Sequence, residues 1–276
     1  IQDRIVFASD RDGSEFDLYT MAHDGTDVQR LTTGAGVIPM DVNNAGTQIL
    51  ALGPISGSFN EYELHIVNAD GSVRQVTNDT LAQIVSSLSS DGAEILYEGQ
   101  DTARGTYSIY RRSADGSGSR TAVIADSSIT RTPDLSPDGS SIAFVREDTA
   151  SGTYDLFTAD ADGQNVTPVV EDSTASPLYP DYSPGGDRLT YYLPGDSAIA
   201  VRDLGSGSTQ AVVTRGNLSE PVPQWLPGGG QLVYTIDDGD LDLYRVDADG
   251  TDEIPLTSDP SDDAYAAVAA WTSGNQ

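Results

Sequence analysis

The stretch SPDGSSIAFVREDTASGTYDLFTADADG, residues Ser136–Gly163, contains the elements that decide the fold of this chain. It opens with a Ser-Pro-Asp-Gly turn and continues into the apolar strand Ile142-Ala143-Phe144. A second strand, Asp155-Leu156-Phe157, follows and ends in an Asp-Gly turn. Apolar and polar residues alternate along both segments, and turn-forming residues separate them, which is typical of antiparallel strands. This stretch predicts an all-β protein.

The same elements recur in the same order along the whole chain. The glycine of this turn, preceded by aspartate in five of the copies, occurs six times, at spacings of 46, 45, 47, 44 and 43 residues: Gly25, Gly71, Gly116, Gly163, Gly207 and Gly250. A period near 45 residues is the spacing of a four-stranded propeller blade. Because one such sheet cannot cover its own two apolar faces, six of them are expected to stack radially. The sequence therefore predicts a six-bladed β-propeller with four antiparallel strands per blade.

One blade is expected to join the two ends of the chain. The chain starts at a second-strand copy, Arg4-Ile5-Val6-Phe7, with no first strand before it. The missing strand is found at the other end, where Ala270 aligns with Gln224 and Trp271 with Trp225. We therefore expect a single domain over residues 1–276, with blades at about 264–276 plus 1–33, 36–77, 81–124, 129–170, 176–213 and 218–257.

The charge of the chain restricts its partners. Forty-three acidic and 14 basic residues give a net charge of −29, and every basic residue is arginine. A surface this negative repels nucleic acid and anionic lipid. We expect neither of these partners, and no apolar run is long enough for membrane insertion. The acidity itself reflects either the use of aspartate in turns or adaptation to high salt.

The repeat resembles that of TolB-like six-bladed β-propellers, a WD-type repeat family. The hallmarks of that family are a W-S-P-D-G turn, an R-D-G-like loop, a D-L-Y strand and an N-A-D-G turn. This chain has them as Leu135–Gly139, Arg11–Gly13, Asp17–Tyr19 and Asn68–Gly71. The resemblance implies the fold over essentially the whole chain, and it implies a periplasmic or extracellular protein. It is less specific for function, because the repeat serves adaptors, surface proteins and the gating domains of peptidases.

Motifs for catalysis are largely missing from the sequence. No H-E-x-x-H, P-loop or nucleophile elbow occurs, and the absence of cysteine excludes disulfides and thiolate sites. Of the two histidines, His65 occupies the column of the D-L-Y tyrosines and is expected to pack there, whereas His23 lies in a turn. The Asp-x-Asp-Gly strings lack the bidentate acid of a calcium loop and coincide with predicted hairpin turns. The sequence favours a protein that is not an enzyme.

The first strand of each blade is expected to line the central channel. Alignment of these strands places one residue per blade in a column: Asp41, Ser87, Asp134, Asp181, Gln224 and Ala270. Three converging carboxylates, those of Asp41, Asp134 and Asp181, are candidate ligands for a calcium ion in the channel, since calcium prefers oxygen ligands. The alternative is that each aspartate accepts backbone N–H groups of the following turn.

The residues just before this column are expected to surround the mouth of the channel. They are candidate ligand-binding residues together with Gln224: Gln83, Arg131, Tyr179 and Glu220. Loops on a rigid ring commonly carry binding residues, and the insertion Pro54–Tyr62 is a further candidate surface. We predict a monomeric, non-enzymatic binding scaffold for a protein or peptide partner at this face. The alternatives are a carbohydrate-binding, hydrolytic or lyase propeller that uses the polar channel, and a structural module of a larger surface protein.

Overall fold

The structure is a computed structural model that describes residues 1, 3–13, 15–54, 62–78, 83–171, 174–218 and 220–269, without the side chains of 83–86. Within these ranges the chain forms 24 strands and one short 3-10 helix, Pro194–Asp196. No helix in the described ranges is long and apolar enough to cross a membrane. In chain order the strands are β1 (Ile5–Ser9), β2 (Asp17–Met21), β3 (Gln29–Arg30), β4 (Ile38–Val42), β5 (Gln48–Pro54), β6 (Tyr62–Asn68), β7 (Val73–Gln75), β8 (Gln83–Leu88), β9 (Glu94–Asp101), β10 (Thr106–Ser113), β11 (Thr121–Ile124), β12 (Thr130–Leu135), β13 (Ser141–Asp148), β14 (Thr153–Asp160), β15 (Thr167–Val170), β16 (Leu178–Tyr182), β17 (Arg188–Leu193), β18 (Ala198–Asp203), β19 (Thr209–Thr214), β20 (Gln224–Trp225), β21 (Gln231–Asp237), β22 (Leu241–Asp247), β23 (Ile254–Pro255) and β24 (Asp263–Val268).

The described strands form six antiparallel four-stranded sheets, which we call blades 1 to 6. Blade 1 has the order β24-β1-β2-β3, and blades 2 to 6 each use four consecutive strands, beginning with β4, β8, β12, β16 and β20. Each of these first strands contacts the first strands of the two neighbouring blades, so together they surround the axis. The predicted six-bladed propeller is confirmed, including the four antiparallel strands per blade.

The core lies between the blades rather than within them. Leu64 and Ile66 of blade 2, for example, pack in one cluster with Ile95 and Tyr97 of blade 3, and all four side chains are fully buried. Burying an aliphatic or aromatic side chain of this size contributes about 1.5–3 kcal/mol each. Stability therefore depends on the contact between neighbouring sheets, which explains why the apolar strands recur with the blade period.

The repeated apolar and D-L-Y strands pair side by side and bring their aromatic rings together. The cross-strand pairs have ring centroids 5.9–6.3 Å apart: Phe7 with Tyr19, Tyr97 with Tyr110, Phe144 with Phe157, and Tyr234 with Tyr244. His65 occupies the matching position in blade 2, opposite Ala51. It is buried, and its Nδ1 lies 2.9 Å from the carbonyl oxygen of Glu63. This histidine packs where the other blades have an aromatic ring.

Blade 1 closes the ring by pairing the C-terminal strand β24 with the N-terminal strand β1. A partly buried ion pair stabilises this closure, because Arg11 donates to both carboxylate oxygens of Asp263, at 2.8 and 2.6 Å. Arg11 also lies 5.1 Å from the centroid of the Tyr19 ring, a cation–π distance. The predicted closure by the C-terminal strand is therefore consistent with the observed pairing.

The predicted register of the closing strand is wrong by three residues. Ala267 lies opposite Val6, as Gln224 lies opposite Val233 in blade 6, so Ala267 and not Ala270 occupies the channel column. A bulge between the Val6 and Ala8 pairings and the anchoring of Asp263 set this register. The proposed positions of Ala270 and Trp271 lie outside the described residues.

Candidate binding site at the channel mouth

The side chains of the channel column connect consecutive blades. Four of the six accept a hydrogen bond from a backbone N–H in the next blade: Asp41 from Leu88 at 2.6 Å, Ser87 from Leu135 at 3.2 Å, Asp134 from Tyr182 at 2.8 Å, and Asp181 from Trp225 at 2.8 Å. The N–H donors thus belong to the neighbouring blade. Asp41 also accepts the N–H of the residue that follows it, Val42. The four side chains form a hydrogen-bonded chain around the axis from blade 2 to blade 6.

Burial makes the three channel carboxyls weak acids. Desolvation raises the pKa of Asp41 to about 6. Desolvation, reinforced by the neighbouring carboxylates, also raises the pKa of Asp134 and Asp181. Each side chain is partly exposed, but only to the narrow channel, so little water reaches the carboxylates. These three carboxyls are therefore protonated more readily than an exposed aspartate.

Hydrogen-bond donors already occupy the oxygens at which calcium was predicted. The Ser87 hydroxyl lies 3.1 Å from an Asp41 oxygen and 3.0 Å from an Asp134 oxygen, between the two carboxylates. In the part of the chain that the structure describes, no group of three or more Asp, Glu or His side chains could hold a metal ion. The arrangement favours hydrogen bonding, and calcium binding by Asp41, Asp134 and Asp181 stays a prediction.

A cavity of about 160 Å³ lies above the column, at the end of the channel where the first strands begin. Five blades contribute to it, and its lining combines apolar, aromatic and acidic side chains: Ile38, Met40, Leu52, Tyr179, Val222, Tyr265, Glu220 and Gln224, with Asp41, Asp134 and Asp181 at its floor. We call this cavity the mouth site. It brings together three of the predicted binding residues, Tyr179, Glu220 and Gln224, with the three channel aspartates.

The other two predicted binding residues have different environments. Arg131 is not part of the cavity lining. Its Nε lies 3.8 Å from Oε1 of Glu98 in blade 3, and its guanidinium stacks 4.9 Å from the centre of the Tyr107 ring. Gln83 begins β8 and pairs with Gly99 through the backbone, but its side chain lies outside the described residues.

Glu98 is a functional candidate that the sequence reasoning missed. The residue is 1% exposed, and burial raises the pKa of its carboxyl to about 7 against the opposing effect of Arg131. One carboxylate oxygen accepts the N–H of Thr132 at 3.3 Å, while the other has only the Arg131 ion pair. No short sequence motif contains Glu98 together with its partners, because Arg131 and Thr132 belong to the next blade.

Bulges in the first strands direct side chains to the mouth. Thr132, Tyr179, Val222 and Tyr265 each lie two residues before the channel column and have positive φ, between 39° and 55°. Such backbone conformations are unfavourable for residues with a Cβ, and they cluster at functional sites. All four residues line the mouth site. Tyr265 was missed because the register of the last strand was wrong, and the correct register places it in the same column as Tyr179.

Neither histidine belongs to the mouth site. The Asp-x-Asp-Gly strings form the expected turns, in which Gly163 and Gly250 have positive φ and donate to the carbonyl groups of Asp160 and Asp247.

Comparison with known proteins agrees with this architecture. The family model of the TolB beta propeller domain matches residues 142–273. TolB from Acinetobacter baumannii has 19% identity and a TM-score of 0.79, and the match covers 96% of this chain and 66% of that one. This chain therefore spans about two thirds of that TolB. No sequence among the curated proteins matches the chain.

Two other solved structures share the fold. A chain of a nidogen/laminin complex has 11% identity and a TM-score of 0.75, and the match covers 96% of this chain and 97% of that one. An oligogalacturonate lyase in complex with manganese has 16% identity and a TM-score of 0.62, with coverage of 91% and 73%. At these identities the likeness establishes the fold and leaves activity to the site itself. The chain thus has a six-bladed β-propeller fold, and its residues 142–273 match the TolB beta propeller domain.

Proposed function

We propose that this protein is a binding scaffold that receives an extended, basic segment of a protein partner at the mouth site. The observation that carries the proposal is the cavity itself, which is lined together by apolar residues of blade 2, Tyr179 of blade 5 and Tyr265 of blade 1. Buried aromatic and apolar anchors supply most of the energy in peptide recognition. The rigid strands that carry them reduce the entropy lost on binding.

Charge determines the kind of segment that fits. Glu220 is exposed at the rim, and Asp41, Asp134 and Asp181 form the floor, within a chain of net charge −29. The nearest arginine, Arg131, is already paired with Glu98. A lysine or arginine side chain, or an amino terminus, therefore complements the site, and long-range attraction would speed its association.

The likenesses support a protein partner outside the cytoplasm. A chain with this fold is part of a nidogen/laminin complex, and the repeat resembles that of TolB-like proteins. The proposal includes a periplasmic or extracellular location and a monomeric state.

The test is selection of peptides from a random phage-displayed library, followed by calorimetry with the selected peptides. We expect basic peptides with an aromatic or apolar anchor, whose affinity falls about tenfold or more in Tyr179→Ala and in Tyr265→Ala. Val28→Ala, which trims an exposed apolar side chain on the outer turn of blade 1, is the matched control. Equal affinity in the wild type and both tyrosine variants would refute the mouth site.

A second candidate function, turnover of a glycan, is favoured by one observation. Glu98 combines a pKa of about 7 with an adjacent arginine, and a carboxyl of this kind can exchange a proton near neutral pH. Incubation with oligogalacturonate and with neutral polysaccharides tests this function. Cleavage by the wild type that is lost in Glu98→Gln would favour glycan turnover over the binding scaffold. If every substrate stays intact, glycan turnover is excluded.

A further inference from the structure

The interface between blades 4 and 5 differs from the other blade interfaces. At the other five interfaces the turn glycine packs closely against the preceding blade. A Cβ added to this glycine would lie 3.3 Å or less from a backbone carbonyl oxygen of that blade. These contacts join Gly25 to Leu256, Gly71 to Leu31, Gly116 to Val76, Gly163 to Val123 and Gly250 to Val212. Gly207 of blade 5 is the exception among the described residues, because an added Cβ would meet only Arg202 of its own blade within 4 Å.

One local change accompanies the missing glycine contact. The blade 5 turn is one residue longer, since the Gly207 N–H donates to Asp203 four positions back, whereas the Gly163 N–H donates to Asp160 three positions back. In two other blades an arginine also bridges to the next blade. Arg111 of blade 3 donates to the carbonyl of Ala161 at 2.6 Å, and Arg245 of blade 6 donates to that of His23 at 2.8 Å.

At the position of these arginines blade 4 has Thr158, which directly follows Phe157 of the stacked pair Phe144–Phe157. Its side chain is too short to bridge, and a groove of about 760 Å³ lies between the two blades, on the face of the Ser-Pro-Asp-Gly turns. This volume lies within the usual range of ligand sites, roughly 300–1,000 Å³. We call it the interblade groove.

The groove presents polar groups of several kinds. Arg202 lines the groove and donates through one of its terminal nitrogens to the Thr209 hydroxyl at 3.0 Å. Asn165 and Asp160 hydrogen-bond to each other at 2.6 Å and both are exposed. Asp138 and the hydroxyl of Thr158 complete the polar lining, and the Pro137 and Pro184 rings add small apolar surfaces.

We propose that the interblade groove binds a neutral oligosaccharide. Carboxylate, amide, guanidinium and hydroxyl groups together match the adjacent hydroxyls of a sugar, each of which donates and accepts. The two aspartates and the charge of −29 disfavour an acidic sugar. A peptide strand is disfavoured because the edge strand β15 contains Pro168, which has no N–H for strand addition. This site is independent of the mouth site.

The test is calorimetry with cellotetraose, maltotetraose and chitotetraose as probes. We expect at least one of them to bind, and Thr158→Arg to abolish that binding by placing a long side chain in the groove. Val166→Arg adds the same side chain to an exposed position of blade 4 outside the groove and should leave affinity unchanged. Arg202→Ala should weaken binding about tenfold, as expected for loss of a charged hydrogen-bond donor.

Failure of all three tetrasaccharides to bind the wild type would overturn the proposal, and so would full affinity in both Thr158→Arg and Arg202→Ala. Tyr179→Ala should bind the same sugar normally, which separates this site from the mouth site. Melting curves of each variant establish that a lost affinity does not reflect unfolding.

Discussion

Oδ2 of Asp134 in blade 4 accepts the backbone N–H of Tyr182 in blade 5 at 2.8 Å. The same carboxyl receives the Ser87 hydroxyl from blade 3 at 3.0 Å, so one side chain connects three consecutive blades at the channel. The acceptor function of the side chain therefore matters for folding, while its charge is unfavourable beside Asp41 and Asp181.

Substitution of Asp134 should separate these two roles. Asp134→Ala leaves the Tyr182 N–H without its acceptor, and we expect the free energy of unfolding to fall by about 1–3 kcal/mol. Asp134→Asn keeps an acceptor oxygen and removes the charge, so it should be at least as stable as the wild type at about pH 8. Urea denaturation of the three proteins checks this prediction. Equal losses in both variants would mean that the negative charge itself holds the ring together.

The channel acids should make the protein less stable as the pH rises. The folded-state pKa of Asp41, about 6, and of Glu98, about 7, lie above their unfolded values, so the folded chain binds more protons. This stabilisation is fully present below about pH 4 and is lost as the pH rises through 6 to 7. Turn aspartates such as Asp138 have a lowered pKa and act oppositely, losing stability in acid.

We therefore expect the melting temperature to be highest near about pH 5 and to fall toward about pH 8. The fall should be smaller in a variant that combines Asp41→Asn with Glu98→Gln. A wild-type melting temperature that rises over this interval would contradict the assigned pKa shifts.

The ion pair between Arg11 and Asp263 should stabilise the closed ring. Asp263 is fully buried and receives two hydrogen bonds from the partly exposed Arg11, so Asp263→Ala should cost about 1.5–3 kcal/mol. Asp259 provides a matched control, since its carboxylate lies 3.2 Å from the same guanidinium but is 41% exposed. Asp259→Ala should cost less than about 1 kcal/mol. Similar losses of unfolding free energy in the two variants would show that Asp263 does not stabilise the pairing of the closing strand β24 with β1.

Added salt should stabilise the protein without a specific effect of calcium. Screening weakens the repulsion within a chain of net charge −29, so sodium chloride should raise the melting temperature. Because the channel carboxylates already accept hydrogen bonds, millimolar calcium should act no more strongly than magnesium at matched ionic strength. A larger rise in melting temperature with calcium than with magnesium, absent in Asp134→Asn, would support the predicted calcium ion in the channel.

The repeat predicts the blades because each copy contains its own turns and its own apolar strand, such as Ile142–Phe144. It does not predict the register of the closing strand, where a local similarity around Trp271 suggested an alignment that the bulge at Tyr265 excludes. The ion pair between Glu98 and Arg131 could not be predicted from the repeat either, because the two residues lie on different blades. Periodicity describes what the copies share, whereas both candidate sites depend on where individual copies differ.

Photo-cross-linking gives the most direct test of peptide binding at the channel mouth. A selected basic peptide that carries a benzophenone in place of its aromatic anchor is irradiated with the protein, and mass spectrometry identifies the modified residues. The proposed function predicts adducts on Ile38–Asp41 and around Tyr265, which line the mouth site. Adducts confined to the outer strands or to the Ser-Pro-Asp-Gly turns would contradict it.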